Sequence, residues 1–199
     1  MIKKEVLIDL YFNKKLSMKA VSQKLGISVY KVSYWMQLHG LSRRSISEGV
    51  YLKNNPGGDP FLFRGPSSKE EAVLFGLGLG LYWGEGTKAN KYSVRLGNTD
   101  PKLVTTFVLF LETFFQVDKK DMRFGIQVFN TTEVEDTLSF WKQELKVSSS
   151  RFMKTVVTPS RGSGSYKRKI EHGVLTVYYN NKKMRDVLMN EIEKLQKIR

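Results

Sequence analysis

The chain has 199 residues, with 33 Lys and Arg against 19 Asp and Glu, a formal charge of +14 and a pI of about 9.8. Such a basic excess favours a polyanionic partner, nucleic acid or an anionic membrane surface, without choosing between them. Cysteine is absent and only His39 and His172 are present, which excludes disulfides and cysteine-based zinc and leaves a hard cation on carboxylates as the plausible metal.

Charge is uneven along the chain. Residues 1–50 carry +6, residues 51–150 are neutral, and residues 151–199 carry +8. Residues 1–5 show no apolar signal-peptide core, and the longest apolar stretch, 72–83, is too short to span a bilayer. The expectation is a soluble, cytoplasmic, nucleoid-associated chain with no membrane partner.

The first predicted helix, 2–13, puts Val6, Leu7, Leu10 and Tyr11 on one face. Ser17 and Ser28 are suited to cap helices over 18–25 and 29–39, with Gly26 supplying a tight turn between them. Val21, Leu25, Ile27, Val32 and Trp35 fall where three short helices must meet. The breaker-rich stretch from Gly40 to Ser68 reads as a connection, giving domains at 1–48 and 69–199 with a linker over 49–68. Beyond it, a Gly-rich helix over 69–84 is followed by a strand at 92–96 and a helix at 101–115. A strand at 123–129 and a helix at 133–145 come next, then strands at 151–157 and 174–179 and a final helix at 182–197. This alternation predicts a mixed α/β, α+β fold. Asn98, Asn130 and Asn180 each follow a strand and precede a helix, which common turn chemistry explains and a repeated unit would also explain.

Within the first module, Ser22 four residues before Gly26 and Val32 six after it make a spacing that resembles the helix-turn-helix of DNA-binding proteins. That resemblance implies a second motif helix lying in the major groove. Its expected exposed side chains are Tyr30, Lys31, Ser33, Tyr34 and Gln37, with Lys31 on phosphate and Ser33 and Gln37 towards base edges. Arg43 and Arg44, just beyond, resemble a minor-groove or backbone-tracking arm. A three-helix protein-docking module is the alternative.

Gly76, Gly80 and Gly84 recur every fourth residue of one predicted helix, with Gly78 between them. Each costs about 0.8–1.0 kcal/mol relative to Ala in a helix interior, so close approach of another backbone is the expected reason. Glu85, at the carboxyl end, faces the negative end of the helix dipole, which requires a compensating cation or a function.

The segment 78–86, Gly-Leu-Gly-Leu-Tyr-Trp-Gly-Glu-Gly, resembles the signature of the LAGLIDADG homing-endonuclease family, with Gly80, Glu85 and Gly86 matching its first glycine, its acid and its last glycine. The resemblance extends over residues 70–199 and rests on about nine. It implies an antiparallel sheet packed by helices, two motif helices side by side along Gly76, Gly80 and Gly84, and Glu85 as catalytic acid and Mg²⁺ ligand. Only one motif is visible, so the second acid is expected from a homodimer partner; the helix at 133–145, as a degenerate internal half, is the alternative.

Arg151 and Lys154 are candidates to support the developing phosphate charge at such a site. The loop holding Arg161, Lys167, Arg168 and Lys169 is a candidate phosphate contact, although a solvated charge run is as good a reading of the loop alone. The expected function is sequence-specific binding of double-stranded DNA with Mg²⁺-dependent phosphodiester hydrolysis, and no small-molecule substrate. The alternative is a non-cleaving transcriptional regulator on the same scaffold, similar to WhiA-type proteins.

Overall fold

The computed structural model describes residues 1–130, 132–159 and 171–197. The chain forms two compact units, Met1–Pro60 and Phe61–Arg199.

In the first unit, α1 (Lys4–Leu7) runs directly into a π-helical turn over Ile8–Asn13, closed by Lys14 N–H on Asp9 O. Leu7, Leu10 and Tyr11 point inward, whereas Val6 is over a third exposed, so the apolar face is narrower than its sequence pattern. Ser17 caps α2 (Met18–Leu25) by accepting from Ala20 N–H, and Ser28 caps α3 (Val29–Leu38) by accepting from Lys31 N–H. Between them Gly26 adopts φ 63°, a left-handed conformation that glycine reaches without Cβ strain. Val21, Val32 and Met36 join the residues of the first helix in a closed core, with Leu25, Ile27 and Trp35 packed half-buried around it. Met36 is a core residue that the sequence reading had not singled out.

The presumed linker is largely structured. Ser45 caps a helix, α4 (Ile46–Asn54), within the first unit. In the second unit, Leu62 and Arg64 donate backbone N–H bonds to Phe115 O and Phe114 O, and Phe61 and Phe63 pack on the larger core. Breaker residues therefore punctuate this stretch without leaving it unfolded.

The second unit is built from α5 (Lys69–Glu85), β1 (Val94–Asn98), α6 (Pro101–Phe115), β2 (Arg123–Phe129), α7 (Val134–Leu145), β3 (Val156–Thr158), β4 (Val174–Tyr179) and α8 (Lys182–Gln196). Asp100 caps α6 and Pro101 opens it, where a missing N–H costs nothing; the seven buried residues of its apolar face include Phe107, Phe110, Phe114 and Phe115.

The sheet order is β1-β4-β2-β3. The first three strands pair antiparallel, but β3 joins β2 in parallel, so the sheet is mixed and not antiparallel throughout. The predicted strand at 151–157 is also shorter than expected: a 3-10 turn occupies Ser149–Arg151, and the strand spans only three residues. Burial alternates along β2 and β4. Leu96, Val177 and Phe124 form one inward row, packed with the helices into a single core, while the opposite face carries the polar positions. No helix among the described residues is long and apolar enough to cross a membrane.

Candidate functional site

Helix α5 has two unlike faces. Towards the core, Leu79 and Tyr82 are buried, and Gly78 lies so close to α6 that a Cβ there would sit 2.2 Å from the Phe110 ring. On the other face Gly76, Gly80 and Gly84 are exposed, and a Cβ at any of them would meet none of the described residues within 4 Å. Val73, Leu77 and Trp83 share that side, exposed by 71%, 49% and 54%. The glycine face thus has no counterpart within the described residues of the second unit.

Glu85 ends this helix and is exposed, with no hydrogen bond or ion pair among the described residues. Gly86 is extended, at φ −70°, rather than left-handed. Its lack of a side chain is needed for another reason: a Cβ would lie 2.4 Å from both the Tyr82 ring and Tyr82 O. The chain then turns onto β1, with Gly86 bridging Leu96 and Thr87 N–H donating to Arg95 O.

Lys88 donates to Trp83 O, one of the carbonyls left open at the helix end. Burial pushes its ammonium below the usual lysine range, while the Glu85 charge pulls it back up. Arg185 of α8, 13% exposed, braces the turn by donating from Nη2 to Lys88 O at 3.2 Å. Lys88 thus sets a cation at the negative end of the helix dipole, with Arg185 behind it.

Arg151 and Lys154 are not part of this cluster. Gly86 adds to the outer edge of β1, whereas Arg151 and Lys154 precede β3 at the opposite edge. Four interstrand spacings of ~4.8 Å put them roughly 19 Å away within one chain. Arg151 is moreover tied to Lys120 O, while Lys154 is exposed. Among the described residues no three or more His, Asp or Glu side chains gather as a metal-binding group. Among the described residues Glu85 therefore stands as a lone carboxylate here, able to ligate a hard cation only in company.

The helix-free face of the sheet supplies a further row of side chains. Tyr178 on β4 lies between Arg95 on β1 and Arg123 on β2 in one cross-strand row, and the Arg95 guanidinium sits 5.2 Å from its ring centroid. Gly97 and Gly125 flank Thr176 in the next row, and Gln127 follows, bonded to Thr158 Oγ1 at 3.1 Å. The signal was present in the alternation of Arg123, Gly125 and Gln127 with Phe124, Ile126 and Val128, but which face the helices would leave open was not.

In the first unit α3 presents Tyr30, Lys31, Tyr34 and Gln37 to solvent, Tyr30 by 80%, while Ser33 is half-buried. Arg43 is exposed. Arg44 is not a free arm: its backbone N–H donates to Tyr11 Oη at 3.0 Å, and Nη1 donates to Lys15 O and Leu16 O at 3.3 Å each. Its guanidinium also stacks 4.0 Å from the Tyr11 ring centroid. Arg161, Lys167, Arg168 and Lys169 lie outside the described residues.

Comparison with family models, curated proteins and solved structures gave no match to this chain.

Proposed function

We propose that the chain binds double-stranded DNA sequence-specifically as a homodimer of LAGLIDADG-type domains, each preceded by a helix-turn-helix, and cleaves it with Mg²⁺. The observation that carries this reading is α5, whose exposed glycine face ends at Glu85, a carboxylate with no partner among the described residues. A second copy packed along that face would cover Val73, Leu77 and Trp83 and bring two Glu85 side chains to one end of the helix pair. Magnesium is usually held by one or two carboxylates, its other positions filled by water and phosphate, so an exposed and unbonded Glu85 fits it. Bound there, the cation would supply a Lewis acid for the scissile phosphate and an activated water.

In this reading α3 enters the major groove with Tyr30, Lys31, Tyr34 and Gln37, Arg43 meets the backbone, and the row of Arg95, Tyr178 and Arg123 gives the second contact. A non-cleaving regulator is the second reading. It is favoured by Lys88, a cation already held beside the acid that would bind metal.

The test is to select the bound DNA fragments and incubate them with the protein and Mg²⁺. The wild type should cut, and Glu85→Gln should abolish cutting while binding persists, because the amide keeps the shape and removes the charge. A wild type that binds and leaves the site intact identifies the regulator. Cutting by a well-folded Glu85→Gln protein overturns the site.

A further inference from the structure

A cleft of about 340 Å³ opens in the first unit where the loops preceding α2 and α4 come together. Its wall holds three cationic residues, Lys15, Arg44 and Lys53, and no carboxylate. Asp9 is engaged by Lys14 at 2.6 Å, Lys15 and Lys53 have no ion pair among the described residues, and Glu48 on the first turn of α4 is not in the wall. Three like charges around one concavity repel each other and concentrate a positive field within it. Arg44 fixes the shape by clamping Lys15 O and Leu16 O and stacking on Tyr11.

Ser17 and Ser45, the caps of α2 and α4, line the same cleft. Ser17 and Met18 bring the first turn of α2 to it, with leading amides that have no intrahelical acceptor, while α4 lies along it through Ser45, Gly49, Leu52 and Lys53. The remaining wall, Tyr11 and Leu52 among it, is apolar enough to receive an organic group. The volume lies at the lower end of the range for small-ligand sites, larger than a bare monovalent anion requires.

We propose that this cleft binds a phosphate group, carried either by the DNA backbone or by a free phosphorylated small molecule. The backbone source rests on the DNA-binding reading above; the free source does not. The full chain would be titrated with inorganic phosphate by calorimetry, and separately with a DNA duplex over a range of salt concentrations. The test variant is Lys15→Gly with Lys53→Gln. Lys15 has φ 53°, which glycine adopts without strain, so the cation is removed without distorting the loop. Lys53→Gln alone, on the exposed side of α4, is the second variant, and Lys4→Gln on α1 is the charge control; circular dichroism verifies folding of each.

Saturable phosphate binding that weakens about tenfold or more in the double variant, and less in Lys53→Gln, supports the cleft. If the slope of log affinity for duplex against log salt also falls by roughly 0.9 in the double variant and not in Lys4→Gln, the phosphate is that of the backbone. An unchanged duplex slope with phosphate binding lost assigns the free ligand. A wild type that ignores duplex but binds phosphate through Lys15 and Lys53 sinks the DNA reading and keeps the cleft. Equal behaviour of wild type, test variants and control towards both probes overturns the proposal.

Discussion

On the inner face of α5, Gly78 lets the helix approach Phe110 to a distance no side chain would allow, whereas on the outer face Gly76, Gly80 and Gly84 approach nothing among the described residues. The acids at the two ends of the helix divide in the same way. Glu71 accepts from Arg64 Nη1 and Nη2 at 2.7 and 2.6 Å and from Ser67 N–H and Oγ at 2.8 Å each; Glu85 accepts from nothing among the described residues. Packing among the described residues thus accounts for Gly78 and Glu71 and not for the other set. Three interior glycines forgo roughly 2–3 kcal/mol of helix propensity relative to alanine, and nothing described in the second unit returns it. A partner laid along the outer face is what would.

The sharpest break of that contrast is Gly78→Val. Overpacking against Phe110 should lower unfolding stability by about 1–3 kcal/mol or more, read as a lower urea midpoint with an unchanged slope. An unchanged midpoint would make the two faces equivalent. Gly80→Leu should fold at least as stably as the wild type but weaken self-association about tenfold or more in sedimentation, since the added side chain obstructs only an approaching helix. Association as strong as that of the wild type would remove α5 from the interface. Gly80→Ala should raise the stability of the dilute monomer by about 0.8–1.0 kcal/mol, because the new Cβ meets open space; a loss would mean the outer face is already in contact.

The smallest effect concerns pH. Hydrogen bonds from Arg64, then from Ser67, hold the Glu71 carboxyl at about 2, below its ordinary 4.5. A depressed carboxyl contributes stability that is complete above its unfolded pKa and lost as pH falls towards 2. Glu71→Gln should therefore flatten the acid limb of the stability curve between about pH 4.5 and 2, modestly, because the pair is partly exposed. An unaltered limb would show that the tied end of α5 is no more fastened than the free one.

Much of the local structure was legible because its causes are local. Ser17 and Ser28 cap helices through amides three residues away, Gly26 takes the left-handed turn its position demands, and α6 and β4 keep the limits their periodicity set. The same reasoning failed where a distant partner acts. Nothing in the spacing of Arg43 and Arg44 tells which one Tyr11 will capture, and the breaker residues before α5 do not reveal that Leu62 and Arg64 bond to the end of α6. The parallel register of β3 likewise depends on pairing with β2 across an intervening helix. The candidate site follows the same division. Glu85 and the glycine spacing could be read directly, since both are properties of one helix. The bond from Arg185 of α8 at its end, the removal of Arg151 and Lys154 to the far edge, and the row of Arg95, Tyr178 and Arg123 depend on strand order and on which sheet face the helices cover. Those are choices made by burial of the whole core, where Leu96, Val177 and Phe124 meet from three strands far apart in the chain.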